Sequence, residues 1–261
     1  MLVLIGLGLY SEKDITLKGL EEARGSDYIF AEFYTSVMPG LNLKRMEKII
    51  GRKVKLLSRS DIEEEGEKVI LERAKKSKVS LLVAGDALIS TTHVHLLLDA
   101  RELEIEVRVV NNASIYSAAP SLAGLHNYKF GRSASIARPE ERFFSETPYT
   151  TVKANMNMGL HTMLFLDIKV EKSGTYLMHA KEAIEILLKL EDRKKEGVIT
   201  PETIAVVVSR AGAPEFKLKA GSIGKLLEED LGRPPHTLII PAELHFMEEE
   251  FLRAFASFPE E

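Results

Sequence analysis

Four sets of loops in this chain carry the residue types that bind a ligand or move a proton, and each lies at the end of a short apolar run. The first, Gly6-Leu7-Gly8-Leu9, opens like a dinucleotide-binding turn, but the next glycine is Gly19, too distant for G-x-G-x-x-G. It is either a tight strand-to-helix turn or a bare backbone surface that a nucleoside approaches closely; a phosphate-cradling loop is disfavoured. The second, Gly85-Asp86-Ala87-Leu88-Ile89-Ser90-Thr91-Thr92-His93, gathers polar groups just beyond an apolar run, with Asp86 as an acceptor-only carboxylate. Capping of the following helix by Asp86 or Thr91 would explain much of it. His93 and His95, two residues apart, point to different sides of a helix and do not form a metal pair. In the third, Asn111-Asn112-Ala113-Ser114-Ile115-Tyr116-Ser117, Ser114 either caps the next helix or offers its backbone amide and carbonyl to an adenine edge. The fourth set lies in the second half: Leu166-Asp167, Arg210-Ala211-Gly212 and Pro234-Pro235-His236, in which His236 is a packed turn histidine or a ligand.

What the chain lacks narrows the chemistry. Its 261 residues include no cysteine, so thiol catalysis, Cys-based zinc, iron–sulfur clusters and disulfides are excluded. There is no Walker A sequence, and Ser222-Ile223-Gly224-Lys225 matches S-x-x-K without its companion motifs. No metal site is expected. With Lys+Arg at 35 against Asp+Glu at 39, the net charge of −4 excludes the global basic field of a nucleic-acid coat. Glutamine is also absent, which fits a chain selected against thermolabile side chains, as in a thermophile. The apolar start, Met1 to Leu9, has no basic segment before it and is too short to span a bilayer, and the charge-free stretch Val109 to Tyr128 is broken by polar residues and Pro120. The expectation is a cytoplasmic protein with neither membrane nor nucleic-acid partner.

The positioning elements follow from hydrophobic periodicity. Strands are predicted at Leu2–Leu7, Tyr28–Glu32, Val54–Leu57, Val79–Val83 and Ile105–Val110, each nearly continuously apolar, as in a parallel sheet covered on both faces. Asp14 is expected to cap Thr16–Ala23, Asn42 to cap Leu43–Ile50, and Ser60 with Glu63 to form a capping box opening Ile62–Lys75. This alternation predicts right-handed βαβ units. The second half has longer, turn-rich connections (Pro139, Pro148, Ser173-Gly174, Pro214, Pro234-Pro235) and predicts a mixed sheet. Its strands are expected at Ser133–Ala137, Thr162–Leu166, Thr203–Val208 and Thr237–Ile240, its helices at Thr151–Met158, Ala180–Glu191, Ser222–Asp230 and Glu243–Phe255. Two α/β domains are expected, 1–112 with a parallel sheet and 113–261 with a mixed one. In open α/β sheets ligands sit beyond the carboxyl ends of strands, where the loops above lie.

Taken together, these stretches resemble the diphthine synthase family of the tetrapyrrole (precorrin-type) methyltransferase superfamily. The resemblance is carried along nearly the whole chain by Ile5-Gly6-Leu7-Gly8-Leu9-Tyr10, Ala31-Glu32-Phe33-Tyr34-Thr35-Ser36, Gly85-Asp86 with Thr91-Thr92-His93, and Ser114-Ile115-Tyr116-Ser117-Ala118. It continues in Gly159-Leu160-His161-Thr162, Leu164-Phe165-Leu166-Asp167-Ile168-Lys169, Arg210-Ala211-Gly212 and Pro234-Pro235-His236. The glycine loops are shared across the superfamily; the Glu32–Ser36 and Leu164–Lys169 segments are specific to the narrower family. The resemblance implies two α/β domains with S-adenosyl-L-methionine in the cleft between them, S-adenosyl-L-homocysteine as by-product, and commonly a homodimer. It implies methylation of the amino group of a modified histidine on elongation factor 2 in diphthamide biosynthesis, three times in archaeal-type members. The cofactor contacts it implies fall on Leu9, Asp86, Ile89, Ser114, Ile115, Leu166, Ala211 and His236. Where the family usually reads Gly-Asp-Pro this chain has Gly85-Asp86-Ala87, so a looser loop is expected with Asp86 still an acceptor.

Such a reaction needs neither a covalent nucleophile nor a metal, but a proton must leave the amine between methylations. Candidate relays are Glu32, Tyr34 and His93, although Glu32 reads equally as a strand-end carboxylate facing solvent. A protein substrate also implies a docking surface; Lys44, Arg45, Lys48, Arg52, Lys53 and Lys55 are either that or an ordinary solvated face. The competing readings are a tetrapyrrole or RNA methyltransferase of the same fold and a non-catalytic adenine-nucleotide-binding protein.

Overall fold

A computed structural model describes residues 1–140, 144–171 and 174–258. The chain divides into two compact units, Met1–Ile115 and Tyr116–Glu261.

The first unit runs β1 (Leu2–Gly6), α1 (Leu17–Arg24), β2 (Tyr28–Glu32), α2 (Leu43–Ile50), β3 (Lys55–Leu56), α3 (Arg59–Glu63), α4 (Glu72–Ala74), β4 (Val79–Val83), α5 (Val94–Glu102) and β5 (Val107–Val110). All its strand pairs are parallel, in the order β3-β2-β4-β1-β5. Side chains alternate across this sheet. Leu2, Leu4, Leu81 and Val83 enter one buried cluster with Ile70 and Leu71, while Val3, Ile5, Leu82, Ile29 and Ala31 enter another with Met46 and Ile50. Both faces are therefore closed, which is why the strands carry no polar alternation.

Two expected caps are displaced. Thr16, not Asp14, caps α1, its hydroxyl accepting from Gly19 N at 3.0 Å. The Asp14 carboxylate is turned back onto Tyr10 N (2.6 Å) and Ser11 N (2.9 Å), closing a short 3-10 turn at Glu12–Asp14. Likewise the capping box forms from Ser58 and Asp61, two residues ahead of Ser60 and Glu63. The long helix expected over Ile62–Lys75 is interrupted: α3 stops at Glu63, and a π-helical stretch, Glu67–Leu71, precedes α4. Asn42 does cap α2.

The second unit continues with α6 (Ile115–Leu122, which begins on the last residue of the first unit), β6 (Ala134–Ile136), α7 (Thr147–Asn157), β7 (Thr162–Leu166), β8 (Ile168–Glu171) and β9 (Gly174–Leu177). After these come α8 (Ala180–Lys194), β10 (Ile204–Ser209), β11 (Lys217–Ser222), α9 (Ile223–Glu228), β12 (His236–Ile240) and α10 (Phe246–Phe255). Its sheet, β11-β10-β12-β7-β6, is mixed: β6 and β7 are parallel and the other pairs antiparallel. One face packs Ala205, Val207, Leu238, Ile240, Leu164 and Ile136 against α7, α8 and α9. Helix α7 starts at Thr147 rather than Thr151 because Pro148 suits the first turn, where its missing N–H costs nothing. Helix α10 starts at Phe246 rather than Glu243, since His245 and Glu248 form its capping box. Strand β11 was not expected. It is an edge strand with Lys217 and Lys219 spaced to one face, a pattern that lacks the apolar run of a central strand. The β8–β9 hairpin is also new relative to the sequence reading. Of the turn expected at Ser173-Gly174, Ser173 lies outside the described residues.

Candidate active site

The glycine loops of the first unit are tied together at the carboxyl end of its sheet. The strands they follow, β4, β1 and β5, are neighbours. Gly8 and Gly85 form an isolated antiparallel bridge: Gly8 N donates to Gly85 O (3.1 Å) and Gly85 N to Gly8 O (2.7 Å). Gly8 takes φ +85°, and a Cβ at Gly6 would stand 2.7 Å from Gly85 O and 2.9 Å from Asn112 Cβ. The G-x-G spacing thus serves close loop-to-loop approach.

Asp86 is the knot between these loops, and it caps no helix. Its Oδ1 accepts from Leu88 N (3.1 Å), and its Oδ2 accepts from Asn111 Nδ2 (3.0 Å) and Asn112 N (3.1 Å). Thr91 also caps nothing: its hydroxyl donates to Ala87 O at 2.9 Å, and α5 begins after His93 without a side-chain cap. Asn112, which the sequence reading did not single out from its loop, completes the set. Its Nδ2 donates to Gly6 O and to Asp14 O, both at 3.0 Å. A lone Asn after a strand carries little signal; only the folded loops reveal two carbonyls converging on one amide. Around this frame Ser114 is buried, Leu9 and Ile115 are half-buried, and Ile89 is exposed.

Glu32, Tyr34 and His93 come together a short way from this frame. The solvent-facing alternative for Glu32 is wrong: the residue is wholly buried, and its carboxylate accepts from Tyr34 N (3.0 Å), Thr35 N (3.1 Å) and the Thr35 hydroxyl (2.5 Å). The His93 ring, also buried, has Nε2 3.6 Å from Glu32 Oε1. Tyr34 stands edge-on to that ring at 6.4 Å. Burial, with the charges of Glu32 and Glu63 adding to it, pushes the Tyr34 phenol up to about 12. His95 is exposed.

In the second unit, Leu166, Ala211 and His236 collect at one end of the mixed sheet. His236 opens β12 opposite Ser209, the last residue of β10, and Phe165 of β7 lies opposite Thr237. Arg210, at φ +53°, donates its N–H to Pro235 O (2.9 Å) and so seats Ala211 beside the start of β12. His236 Nδ1 accepts from Ala180 N at 2.9 Å. Burial first, then the neighbouring His179, lowers its pKa to about 4, so the ring is neutral at neutral pH and carries its proton on Nε2. That buried Nε2 has no hydrogen-bond partner among the described residues, nor has Arg210 Nε. An orphaned donor of this kind costs about 1–3 kcal/mol unless a ligand supplies an acceptor.

Part of the basic stretch of the first unit has internal partners. Arg45 Nε contacts the buried Glu12 at 2.6 Å and Lys53 contacts Glu47 at 2.9 Å. Among the described residues no three His, Cys, Asp or Glu gather as a metal would require, and no helix is long and apolar enough to cross a membrane.

Comparison with known proteins gives the same picture along the whole chain. Residues 1–227 match the family of tetrapyrrole (corrin/porphyrin) methylases. The diphthine synthase of Methanocaldococcus jannaschii is 48% identical over 253 residues, covering 97% of this chain and 98% of that protein. The diphthine synthase of Methanocella arvoryzae is 47% identical over 256 residues, with 98% of each covered. A crystal structure of diphthine synthase superimposes with a TM-score of 0.88 at 38% identity, covering 99% of this chain and 96% of that one. The chain therefore belongs to the tetrapyrrole methylase family, among its diphthine synthases, and is a methyltransferase of the S-adenosylmethionine-dependent kind in diphthamide biosynthesis.

Proposed function

We propose that this chain transfers methyl groups from S-adenosyl-L-methionine to the amino group of 2-(3-amino-3-carboxypropyl)histidine on elongation factor 2, three in succession, to give diphthine. The observation that carries the reading is the near end-to-end match to diphthine synthases at close to half identity. The reading also makes the enzyme cytoplasmic and homodimeric.

The residues present suit the cofactor. The residues proposed to hold it are Leu9, Asp86, Ile89, Ser114, Ile115, Leu166, Ala211 and His236. The unpartnered Nε2–H of His236 offers a donor, and the glycine bridge offers bare backbone. When bound, S-adenosylmethionine supplies a methyl group already activated by its sulfonium charge, so transfer to an amine requires neither an enzyme nucleophile nor a metal. The task of the chain is then alignment, worth up to about 7–11 kcal/mol of barrier. Leu9, Ile89, Ile115 and Leu166 supply the apolar lining that excludes water. Asp86 acts on the site through the loops it ties.

Asp86→Asn is expected to weaken S-adenosylmethionine binding about tenfold or more while the protein stays folded. Whichever way the amide turns, its NH₂ faces a donor, either Leu88 N or the Asn111–Asn112 pair. Calorimetry measures this directly, and unchanged affinity would remove the Asp86 knot from the binding site. The function itself is tested by incubating the protein with the cofactor and elongation factor 2 bearing the aminocarboxypropyl histidine, then weighing the product. Three successive methyl increments are expected. Binding without transfer would support a nucleotide-binding protein, and transfer to RNA or a tetrapyrrole alone would support a different methylase.

A further inference from the structure

The buried Glu32–His93 pair has an incomplete proton inventory. His93 Nδ1 lies 3.2 Å from Ala87 O, a carbonyl that only accepts, so Nδ1 carries hydrogen. The other ring nitrogen is left to face Glu32: Nε2 is 3.6 Å from Oε1, is buried, and has no hydrogen-bond partner among the described residues. Glu32 meanwhile accepts from three donors, Tyr34 N, Thr35 N and the Thr35 hydroxyl. A lone pair on Nε2 would point at a buried carboxyl oxygen. A proton there converts the contact into a charge-assisted pair.

The surroundings offer no better acceptor. Tyr34, edge-on to the imidazole, keeps its proton, since its phenol is pushed up to about 12. From α3, Arg59 lies 5.4 Å over the Tyr34 ring and 3.4 Å from Glu63, and Glu63 accepts from Thr92 at 3.0 Å. Asp86 already takes three N–H donors. His93, by contrast, hangs from the carbonyl of Ala87, the residue after Asp86. The Glu32 it faces ends β2 at the same end of the parallel sheet as the glycine loops.

The geometry points to His93 Nε2 as the proton acceptor of the methylation, with Glu32 holding the imidazolium once it forms; this rests on the reaction proposed above. Each of the first two transfers leaves an N–H on a cationic nitrogen; the third leaves none. That N–H bond breaks, its electron pair stays on nitrogen for the next transfer, the proton bonds to Nε2, and it passes to solvent before the following turn.

Two experiments test this with the full chain. In spectra of ¹⁵N-histidine-labelled protein without cofactor, the neutral His93 ring is expected to carry its hydrogen on Nδ1 and to leave Nε2 bare. A neutral ring protonated on Nε2 overturns the proposal. In the second, His93→Asn and Glu32→Gln are assayed across pH on elongation factor 2. Both should lose about a hundredfold in rate near pH 7 and regain most of it above about pH 9, where an amino group is already neutral in bulk water. A loss equal at every pH would make the pair a structural brace, and no loss would make it inert; either sinks the idea. Absence of methyl transfer by the unaltered enzyme would instead sink the reaction on which it rests, and the spectra separate the two failures.

Discussion

Glu248→Ala is expected to lower stability by about 3–5 kcal/mol, the range for removing one partner from a buried charged cluster. Glu248 is fully buried at the N-terminus of α10 and accepts from Lys129 Nζ (2.7 Å), His126 N (2.7 Å), His245 N (2.8 Å) and His161 Nε2 (3.1 Å). Removing it orphans four donors at once and leaves the Lys129 charge uncompensated. The other His161 nitrogen accepts from Ala242 N at 3.0 Å, so that ring cannot turn to a new partner without losing this bond. Chemical or thermal unfolding measures the effect; a change below about 1 kcal/mol would show the cluster to be dispensable. The pH dependence has a definite sign. Although burial opposes ionisation, the Lys129, His245, His126 and His161 donors together hold the carboxyl down at about 2, against an ordinary value of 4.5. Its contribution is therefore complete above about pH 4.5 and is lost as pH falls toward 2. The wild type should lose stability across that interval, and Glu248→Ala should lose less.

Gly8→Ala is expected to abolish cofactor binding in practice and to cost about 3 kcal/mol of stability, combining left-handed backbone strain with overpacking. At φ +85° the new Cβ would stand 2.6 Å from Asp14 Cβ, and Asp14 cannot step aside while its carboxylate holds Tyr10 N and Ser11 N. Relief requires breaking either that turn or the Gly8–Gly85 bridge. Gly51→Ala is the matched control: φ is +82°, but nothing lies within 4 Å of the added carbon. It should show only the backbone cost, about 1–2 kcal/mol, with unchanged affinity in calorimetry. If both variants bind the cofactor equally, the bridge is not part of its site.

The parallel sheet was legible because burial on both faces leaves a strand no polar alternation to obscure it; Tyr28–Glu32 and Val79–Val83 fall where hydrophobicity alone puts them. Strands β8, β9 and β11 were not, since an edge strand or a lone hairpin pairs through its backbone and needs no apolar run. Caps were ambiguous wherever two suitable residues lay two apart, as with Asp14 and Thr16 or Ser58 and Ser60. Of the candidate site, residue types and positions were visible, but their partners were not. Glu32 reads equally as a relay or a solvent-facing carboxylate because the histidine that faces it stands 61 positions further on, and Asp86 reads as a site acceptor or a cap because two of its donors, Asn111 and Asn112, follow a different strand. The long-range pairings belong to the fold, and only the resemblance to a known family drew those loops together beforehand.

The amide of Asn112 has a temporal consequence. It closes on the carbonyls of Gly6 and Asp14, and β1 itself sits between β4 and β5, its partners from much later in the chain. On the ribosome, the opening strand must wait unpaired until β4, Val79–Val83, has been made, and it gains its second neighbour only with β5, Val107–Val110. A nascent polypeptide halted before Asn112 would hold two unanswered carbonyls, so the loops of the first unit should lock together abruptly, late in its translation.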